Sequence, residues 1–190
     1  AVTEYCRKFD GYTGNLKITA DDIKKAYDSV DEKVIKDISF AADRIRKFAK
    51  IQKKSIVEVK EEVSPGVVLG HRIIPVQSCG AYIPGGRYPL PSSALMSIIP
   101  AKVAGVPRVV ACSPPDKEIG NINPATLVAM DIAGADEIYC MGGAHAIAAL
   151  AFGTETIKPV DMIVGSGNIW VTEAKRQVFG NVGIDFLAGP

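Results

Sequence analysis

Several patterns that mark common classes of protein are missing from this sequence. No apolar run approaches the roughly 20 residues that a membrane-spanning helix needs, so we expect no membrane segment. The formal net charge is only +1, which favours neither nucleic acid nor a membrane surface as a partner. Histidine occurs twice, and the four cysteines form neither a CxxC pair nor a zinc-finger spacing. The GxGxxG fingerprint of dinucleotide-binding proteins is also absent, because Gly165-Ser166-Gly167 lacks the third glycine.

The cysteines are scattered along the chain. Cys112 and Cys140 end apolar runs, where cysteine usually behaves as a small buried hydrophobe. We therefore expect free thiols in a reducing cytoplasm. The first ten residues are charged rather than apolar and do not resemble a secretory leader, which also favours a cytoplasmic location.

Charge divides the chain unevenly near Gly80. Fifteen of the 22 Lys and Arg residues and 12 of the 21 acidic residues lie before position 81, whereas the rest is mainly apolar. This shift predicts a boundary. Residues 1–80 would be the helical and hairpin part of a first, incomplete domain, and residues 81–190 a Rossmann-like nucleotide-binding domain.

Residues 1–80 carry helix and hairpin signals. Residues 1–9 resemble the end of a helix, and Thr19 with Asp22 predicts a helix start, giving a helix over 20–29. A longer helix over 31–54 is predicted by apolar residues at helical spacing. These are Val34, Ile38, Ala41, Ile45 and Phe48. Two β-rich segments, 56–63 and 67–76, flank a type II turn signal at Ser64-Pro65-Gly66-Val67 and predict a hairpin.

From Gly80 onward, short apolar runs alternate with helical patterns. This alternation predicts an α/β fold, an incomplete doubly wound parallel sheet. The predicted strands are 80–83, 108–112, 137–141, 161–164 and 182–187. The predicted helices are 91–104, 124–133, 144–152 and 169–179.

Glycine turns follow three of these strands, at 84–86, 142–143 and 165–167. Ligands of parallel sheets bind beyond the carboxyl ends of the strands, so a small-molecule pocket is predicted there. Tyr82 is placed to stack on a flat ligand or simply to pack within its strand. Arg87, just past its turn, is a candidate partner for an anionic group.

His145 and Asn168 each begin a helix after a glycine turn. His145 is open to three roles: a ligand contact, a catalytic base, or a helix-start residue without chemistry. No acidic residue lies near it in sequence to support catalysis. Asn168 is either an N-cap or an amide contact to a ligand. His71 is interpreted as structural or exposed, and two distant histidines predict no zinc site.

Several long motifs occur in the order found in one family. They are Tyr-Ile-Pro-Gly-Gly at 82–86, Ile-Pro-Ala-Lys-Val-Ala-Gly at 99–105, the run from Gly142 to Glu155, Val-Gly-Ser-Gly-Asn at 164–168, Thr-Glu-Ala-Lys-Arg at 172–176, and Gly-Ile-Asp-Phe-Leu-Ala-Gly-Pro at 183–190. Together they cover nearly all of residues 67–190. The sequence thereby resembles the histidinol dehydrogenase family.

The resemblance implies an NAD-dependent, zinc-requiring oxidoreductase that takes L-histidinol through an aldehyde to L-histidine, in histidine biosynthesis, and acts as a homodimer. It assigns the nucleotide contacts to Tyr82, to the residue at 145 and to Asn168. Two departures concern that site, because His145 stands where the family usually has Gln and Ser166 where it usually has Pro.

The same resemblance places the family's catalytic Glu-His pair and its zinc ligands after the Ala-Gly-Pro turn at 188–190. No catalytic or metal-binding residue is therefore expected within these 190 residues, and the chain by itself is expected to be an inactive nucleotide-binding module of a larger enzyme. Arg87-Tyr88 is also similar to relatives that oxidise a sulfonated propanediol, whereas Pro89-Leu90-Pro91-Ser92 follows the histidinol pattern, so both substrates stay open. A further hypothesis, beside the dehydrogenase part and the inactive nucleotide-binding module, gives residues 1–80 a purely structural role in dimer contact through the 31–54 helix.

Overall fold

The computed structural model describes residues 1–85 and 88–187. Its helices are α1 (Val2–Tyr5), which continues as a π-helical turn (Cys6–Asp10), α2 (Ala20–Ser29), α3 (Glu32–Lys53), α4 (Pro91–Ala104), α5 (Pro124–Ala133), α6 (Gly143–Phe152) and α7 (Ile169–Val178). Its strands are β1 (Val59–Ser64), β2 (Val67–His71), β3 (Ser78–Tyr82), β4 (Arg108–Ser113), β5 (Glu137–Cys140), β6 (Met162–Val164) and β7 (Gly183–Ile184). The predicted α/β class is confirmed.

Five of the strands form one parallel sheet in the order β5-β4-β3-β6-β7. The chain starts in the middle at β3, builds outward through β4 and β5, then returns to the other side of β3 for β6 and β7. The strand order therefore reverses between β3 and β6. In open α/β sheets such a switch point leaves a crevice at the carboxyl ends of the strands, which is where their ligands bind.

Helix starts in the first part of the chain follow local rules. Thr19 Oγ1 accepts the backbone N–H of Asp22 while an Asp22 carboxylate oxygen accepts that of Thr19, so the predicted start of α2 is confirmed as a reciprocal capping box. The first helix ends at Gly11, whose φ of +67° is the left-handed conformation that glycine adopts without strain.

The predicted apolar face of α3 is partly wrong. Phe48 is 61% exposed and Val34 is 39% exposed, whereas Ile38, Ala42 and Ala49 are buried. The residues that pack inward recur at spacings of three and four, as in Ile35, Ile38, Ala42, Ile45 and Ala49. Small alanines let α3 approach α4 and α5 closely. The buried face of α3 is therefore rotated about the helix axis from the face that carries Phe48 and Val34.

The hairpin formed by β1 and β2 confirms the turn signal at residues 64–67. Gly66 has a φ of +79°, as the third residue of a type II turn requires. Every residue of both strands is exposed, including Val63, Val68 and Leu69. The hairpin therefore adds nothing to the core of the described chain.

Residues 16–18 of the N-terminal segment pair with β5, the edge strand of the sheet. Ile18 N donates to Ile138 O at 2.9 Å, and Cys140 N donates to Leu16 O at 2.7 Å, in an antiparallel pairing. Because the pairing is antiparallel, the residues before Leu16 continue past the carboxyl end of β5. The π-helical turn is thereby carried to the place where α6 begins.

Residues from both sides of position 80 share one core cluster. Ile18, Ile38 and Ala42 belong to it together with the central strands β3 and β4. The boundary near Gly80 stays a prediction, and what the cluster adds is continuous apolar packing across it. Within the described part of the chain, no helix is long and apolar enough to cross a membrane.

Candidate functional site

Tyr82 is the last residue of β3, at the switch point, and its side chain turns into the protein. The residue is only 3% exposed, and its hydroxyl oxygen accepts the backbone N–H of Gly143 at 3.1 Å. Burial raises the pKa of the phenol, so the hydroxyl stays protonated at neutral pH. Of the two roles open from the sequence, packing within the strand is the one that this geometry supports, and the hydroxyl in addition tethers β3 to the start of α6.

Tyr82→Phe should therefore destabilise the chain by about 0.5–1.5 kcal/mol, because the part-buried Gly143 N–H loses its acceptor. Urea denaturation followed by circular dichroism measures the change. Tyr88→Phe is the matched control, since Tyr88 is 75% exposed and should tolerate the loss of its hydroxyl. If both variants unfold at the wild-type midpoint, the tether contributes nothing to stability.

Asn168 is the N-cap of α7, after β6. Its side-chain oxygen accepts the backbone N–H groups of Trp170 and Val171, both at 3.1 Å. The N-cap role proposed from the sequence is confirmed. The oxygen is committed to the helix, so a ligand at this position would meet the amide NH₂ group of Asn168.

The turn that leads to Asn168 is held by a buried ion pair that the sequence did not reveal. Lys175 is 1% exposed, and its ammonium group donates to Gly165 O at 2.8 Å and to the Asp185 carboxylate at 2.5 Å. The other Asp185 oxygen accepts the backbone N–H of Gly165 at 2.9 Å. Lys175 and Asp185 together therefore satisfy both backbone polar groups of Gly165 and fix the β6–α7 turn.

A sequence signal for Lys175 did exist. Val171 and Val178 lie four residues before it and three after it, and both are buried, so Lys175 occupies the inward stripe of α7. A charged residue on an apolar stripe requires a buried partner. The partner, Asp185, falls where a longer β7 was predicted. The observed strand ends at Ile184, because Asp185 turns its carboxylate toward Lys175 and Gly165.

His145 lies in the first turn of α6, and its side chain is 11% exposed. Its Nε2 atom is 3.3 Å from Cys6 Sγ and 3.3 Å from Asp10 Oδ2, and its ring stacks on Tyr5 at 6.1 Å between centroids. The far side of the ring, with Nδ1, lies beside Gly143. One ring nitrogen thus faces the N-terminal helix and the other faces the glycine turn.

The structure adds to two arguments made about His145 from the sequence. No acidic residue lies near it in sequence, but Asp10, 135 residues away along the chain, is adjacent in space. The expectation that the chain holds no zinc site stays a prediction. The chain also brings together a set of possible metal ligands, since donor atoms of Cys6, Asp10 and His145 all lie within 4.8 Å of one another. The N-terminal segment alongside β5 causes this convergence, and no local pattern predicts it.

All four cysteines lie in described segments and are free thiols, as predicted, and Cys6 and Cys79 are buried as well as Cys112 and Cys140. Burial and then the nearby Asp10 carboxylate raise the pKa of the Cys6 thiol to about 11, so without a cation it is neutral at pH 7. Arg87, the predicted anion partner, lies outside the described residues. The predicted convergence of Tyr82, His145 and Asn168 is confirmed to the extent that Tyr82 ends β3, while His145 and Asn168 lie at helix starts after β5 and β6, all at the carboxyl edge of one parallel sheet.

A family comparison fits this architecture. The family model described as histidinol dehydrogenase matches residues 1–190, the entire chain. The chain belongs to the histidinol dehydrogenase family. The resemblance drawn from the glycine-turn motifs is thereby confirmed, and it extends into residues 1–66, where the motifs were weaker.

Relatives and a solved structure agree with the family model. A histidinol dehydrogenase homolog of Shouchella clausii (strain KSM-K16) is 54% identical over 100% of this chain and 45% of its own length. The histidinol dehydrogenase of Methanococcus maripaludis is 51% identical over 100% of the chain and 44% of its own. A sulfopropanediol 3-dehydrogenase of Ruegeria pomeroyi is 45% identical over 98% of the chain and 43% of its own length. The crystal structure of histidinol dehydrogenase from Elizabethkingia anophelis superposes with a TM-score of 0.92 at 40% identity, covering 100% of this chain and 43% of that one.

The chain spans less than half the length of these histidinol dehydrogenase relatives. Family membership is therefore established for the chain itself, whereas the activity, substrates and partners of the full-length relatives come to it only as a proposal.

Proposed function

We propose that this chain is the nucleotide-binding part of an NAD-dependent, zinc-requiring dehydrogenase that oxidises L-histidinol to L-histidine. The observation that carries the proposal is the switch point between β3 and β6. It lies in a chain whose residues 1–190 all match the histidinol dehydrogenase family model. When bound, NAD supplies the hydride acceptor. This chain's own task is to bind it and orient it at the carboxyl edge of the sheet.

The helix starts at that edge fit a phosphate-bearing ligand. The N-caps of α4 and α6, Leu90 and Gly142, offer no side-chain cap to the first-turn N–H groups. At α6 the Tyr82 hydroxyl accepts the Gly143 N–H, so at most the N–H groups of Ala144 and His145 remain for a ligand. At α4, Pro91 has no N–H and Ser93 N donates to Leu90 O, which leaves at most Ser92. These remaining donors and the positive ends of the two helix dipoles favour an anion. The start of α7 is different, because Asn168 already caps it.

In this proposal three residues make the nucleotide site. Tyr82 orients the start of α6 through Gly143, His145 presents Nδ1 toward the glycine turn, and Asn168 presents its amide NH₂ group. His145 replaces the glutamine that is usual in the family and can make one hydrogen bond with Nδ1 while Nε2 is engaged with the N-terminal helix.

Zinc and the proton-transfer residues of the reaction are expected beyond residue 190, so the chain alone should bind NAD without oxidising an alcohol. As part of the longer enzyme we place it in a cytoplasmic homodimer. The similarity to a sulfopropanediol 3-dehydrogenase keeps a sulfonated propanediol as the second candidate substrate. Formation of NADH by the longer enzyme from each alcohol separates the two candidates.

NAD should bind this chain weakly, and His145→Ala should weaken it by up to about tenfold, the effect of losing one neutral hydrogen bond. Calorimetric titration at high protein concentration, with a chelator present, measures both affinities. His71→Ala is the matched control, because His71 is exposed and its ring contacts Val57 O at 2.8 Å, away from the glycine turns. Equal affinities for wild type and His145→Ala would remove His145 from the nucleotide site, and no saturable binding would contradict the proposed function.

A further inference from the structure

Three side chains with different donor atoms meet where the N-terminal helix touches α6. Cys6 is fully buried, and the side chains of His145 and Asp10 are 11% and 21% exposed. The His145 Nε2 atom lies between the other two, 3.3 Å from Cys6 Sγ and 3.3 Å from Asp10 Oδ2. The sequence places Cys6 and Asp10 four residues apart in one turn, so they share a face of the helix.

Hydrogen bonding alone leaves this cluster incomplete. A neutral histidine can donate one proton from Nε2, to Cys6 or to Asp10 but not to both, and 3.3 Å to an oxygen exceeds the usual hydrogen-bond distance of about 2.9 Å. Among the described residues, Asp10 Oδ2 is a buried side-chain oxygen without any hydrogen-bond partner. Buried carboxylate oxygens are normally satisfied, so this oxygen requires an explanation.

Two of the three donor separations fit the edges of a coordination tetrahedron, and the third, between Cys6 Sγ and an Asp10 carboxylate oxygen, lies within 4.8 Å. With zinc bonds of about 2.3 Å to sulfur and about 2.0–2.1 Å to nitrogen and oxygen, adjacent ligands lie about 3.5 Å apart for sulfur and nitrogen and about 3.3 Å apart for nitrogen and oxygen. The observed separations are both 3.3 Å. A cation among the three groups would also provide the missing partner of Asp10.

We propose that Cys6, Asp10 and His145 bind one divalent cation of the zinc type, through Sγ, a carboxylate oxygen and Nε2. Thiolate, imidazole and carboxylate together select a borderline cation over Mg²⁺ or Ca²⁺, which prefer oxygen ligands alone. The cation displaces the thiol proton of Cys6, which leaves to solvent. A water molecule completes the four ligands.

The surroundings hold the donors in position. The π-helical turn is closed by the Gly11 N–H, which donates to Cys6 O, and π-helical turns are frequent at functional sites. Tyr5 stacks on the His145 ring with 22° between the planes, which fixes the direction of Nε2. Cation binding would therefore clamp the N-terminal helix onto the start of α6.

This inference goes beyond the proposed function, because the zinc of that reaction is expected on residues beyond position 190. It also concerns Nε2, whereas the proposed nucleotide contact uses Nδ1. Cation binding is measured without NAD and NAD binding with a chelator, so failure of one proposal leaves the other intact.

Titration of the metal-free chain with Co²⁺ tests the site. We expect one ion per chain, a thiolate-to-cobalt charge-transfer band in the near ultraviolet, and visible bands with the intensity of a tetrahedral complex. Zn²⁺ should displace Co²⁺ and abolish both signals. Cys6→Ser should lose the charge-transfer band, and Asp10→Asn and His145→Gln should each weaken binding at least about tenfold.

Matched controls are His71→Gln and Asp21→Asn, which change an exposed histidine and an exposed aspartate away from the cluster. They should bind Co²⁺ like the wild type, and circular dichroism establishes that each variant is folded. The proposal is overturned if the wild type shows no saturable Co²⁺ binding, if its complex lacks the charge-transfer band, or if His71→Gln weakens binding as much as His145→Gln. The wild-type spectrum decides the matter even if a variant fails to fold.

Discussion

Replacing Asp185 by asparagine should destabilise the chain by about 3–5 kcal/mol. The change keeps the side-chain shape but leaves Lys175, 1% exposed, without the carboxylate that balances its charge. Breaking a buried ion pair by removing one partner typically costs this much, because the remaining charge stays buried without compensation. The free energy of unfolding, measured with urea, gives the size of the effect.

Two further variants show whether the burial of charge is the cause. Lys175→Met combined with Asp185→Asn removes both charges and should recover most of the lost stability. Glu173→Gln breaks the exposed Glu173–Arg176 pair on the same helix and should leave the unfolding midpoint almost unchanged. An Asp185→Asn variant as stable as Glu173→Gln would show that the pair does not hold the β6–α7 turn.

Gly165→Ala should be about as damaging. An ideal Cβ at this position would lie 2.1 Å from the carbonyl oxygen of Tyr82, and the φ of Gly165 is +109°. Strain of this kind costs about 1–3 kcal/mol, and forcing an extra carbon into close-packed backbone costs about 1–3 kcal/mol more. Because the turn lies at the switch point, the displaced backbone should also abolish NAD binding.

Gly66→Ala separates the two costs. Gly66 has a φ of +79°, and nothing lies within 4 Å of the position of its Cβ. This variant carries only the conformational strain and should keep NAD binding. If urea denaturation shows Gly165→Ala to be no less stable than Gly66→Ala, β3 and the β6–α7 turn do not pack as closely as described.

Local patterns predicted the elements of this fold well. The capping residues Thr19 and Asp22 predicted the start of α2, and the alternation of apolar runs and glycine turns after position 80 predicted the parallel sheet. These features depend on neighbours in sequence, which a pattern of three or four residues records. Phe48 shows where such reasoning ends, because hydrophobicity identified a stripe on α3 but packing against α4 and α5 decided its orientation.

The sequence predicted where the residues of the candidate site lie along the chain, but not which residues contact them. Tyr82, His145 and Asn168 were recognisable because each lies at or just after the end of an apolar run, and parallel strands bring their carboxyl ends to one edge. The partners of His145 were not recognisable. Cys6 and Asp10 reach it because Leu16 pairs with Cys140 and Ile18 with Ile138 of β5, residues that are far apart along the chain. Non-local pairing of this kind leaves no periodic signal near either residue.

The central claim is that the turns after β3, β5 and β6 form one nucleotide site at the carboxyl edge of the sheet. Residue-resolved NMR of the isotope-labelled chain during NAD titration tests it most directly. The account predicts that the amide shifts concentrate at Ile83–Gly85, Gly142–His145 and Gly165–Asn168. Shifts that concentrate instead on the β1–β2 hairpin or on α3, or that leave these three turns unmoved at saturation, would contradict it.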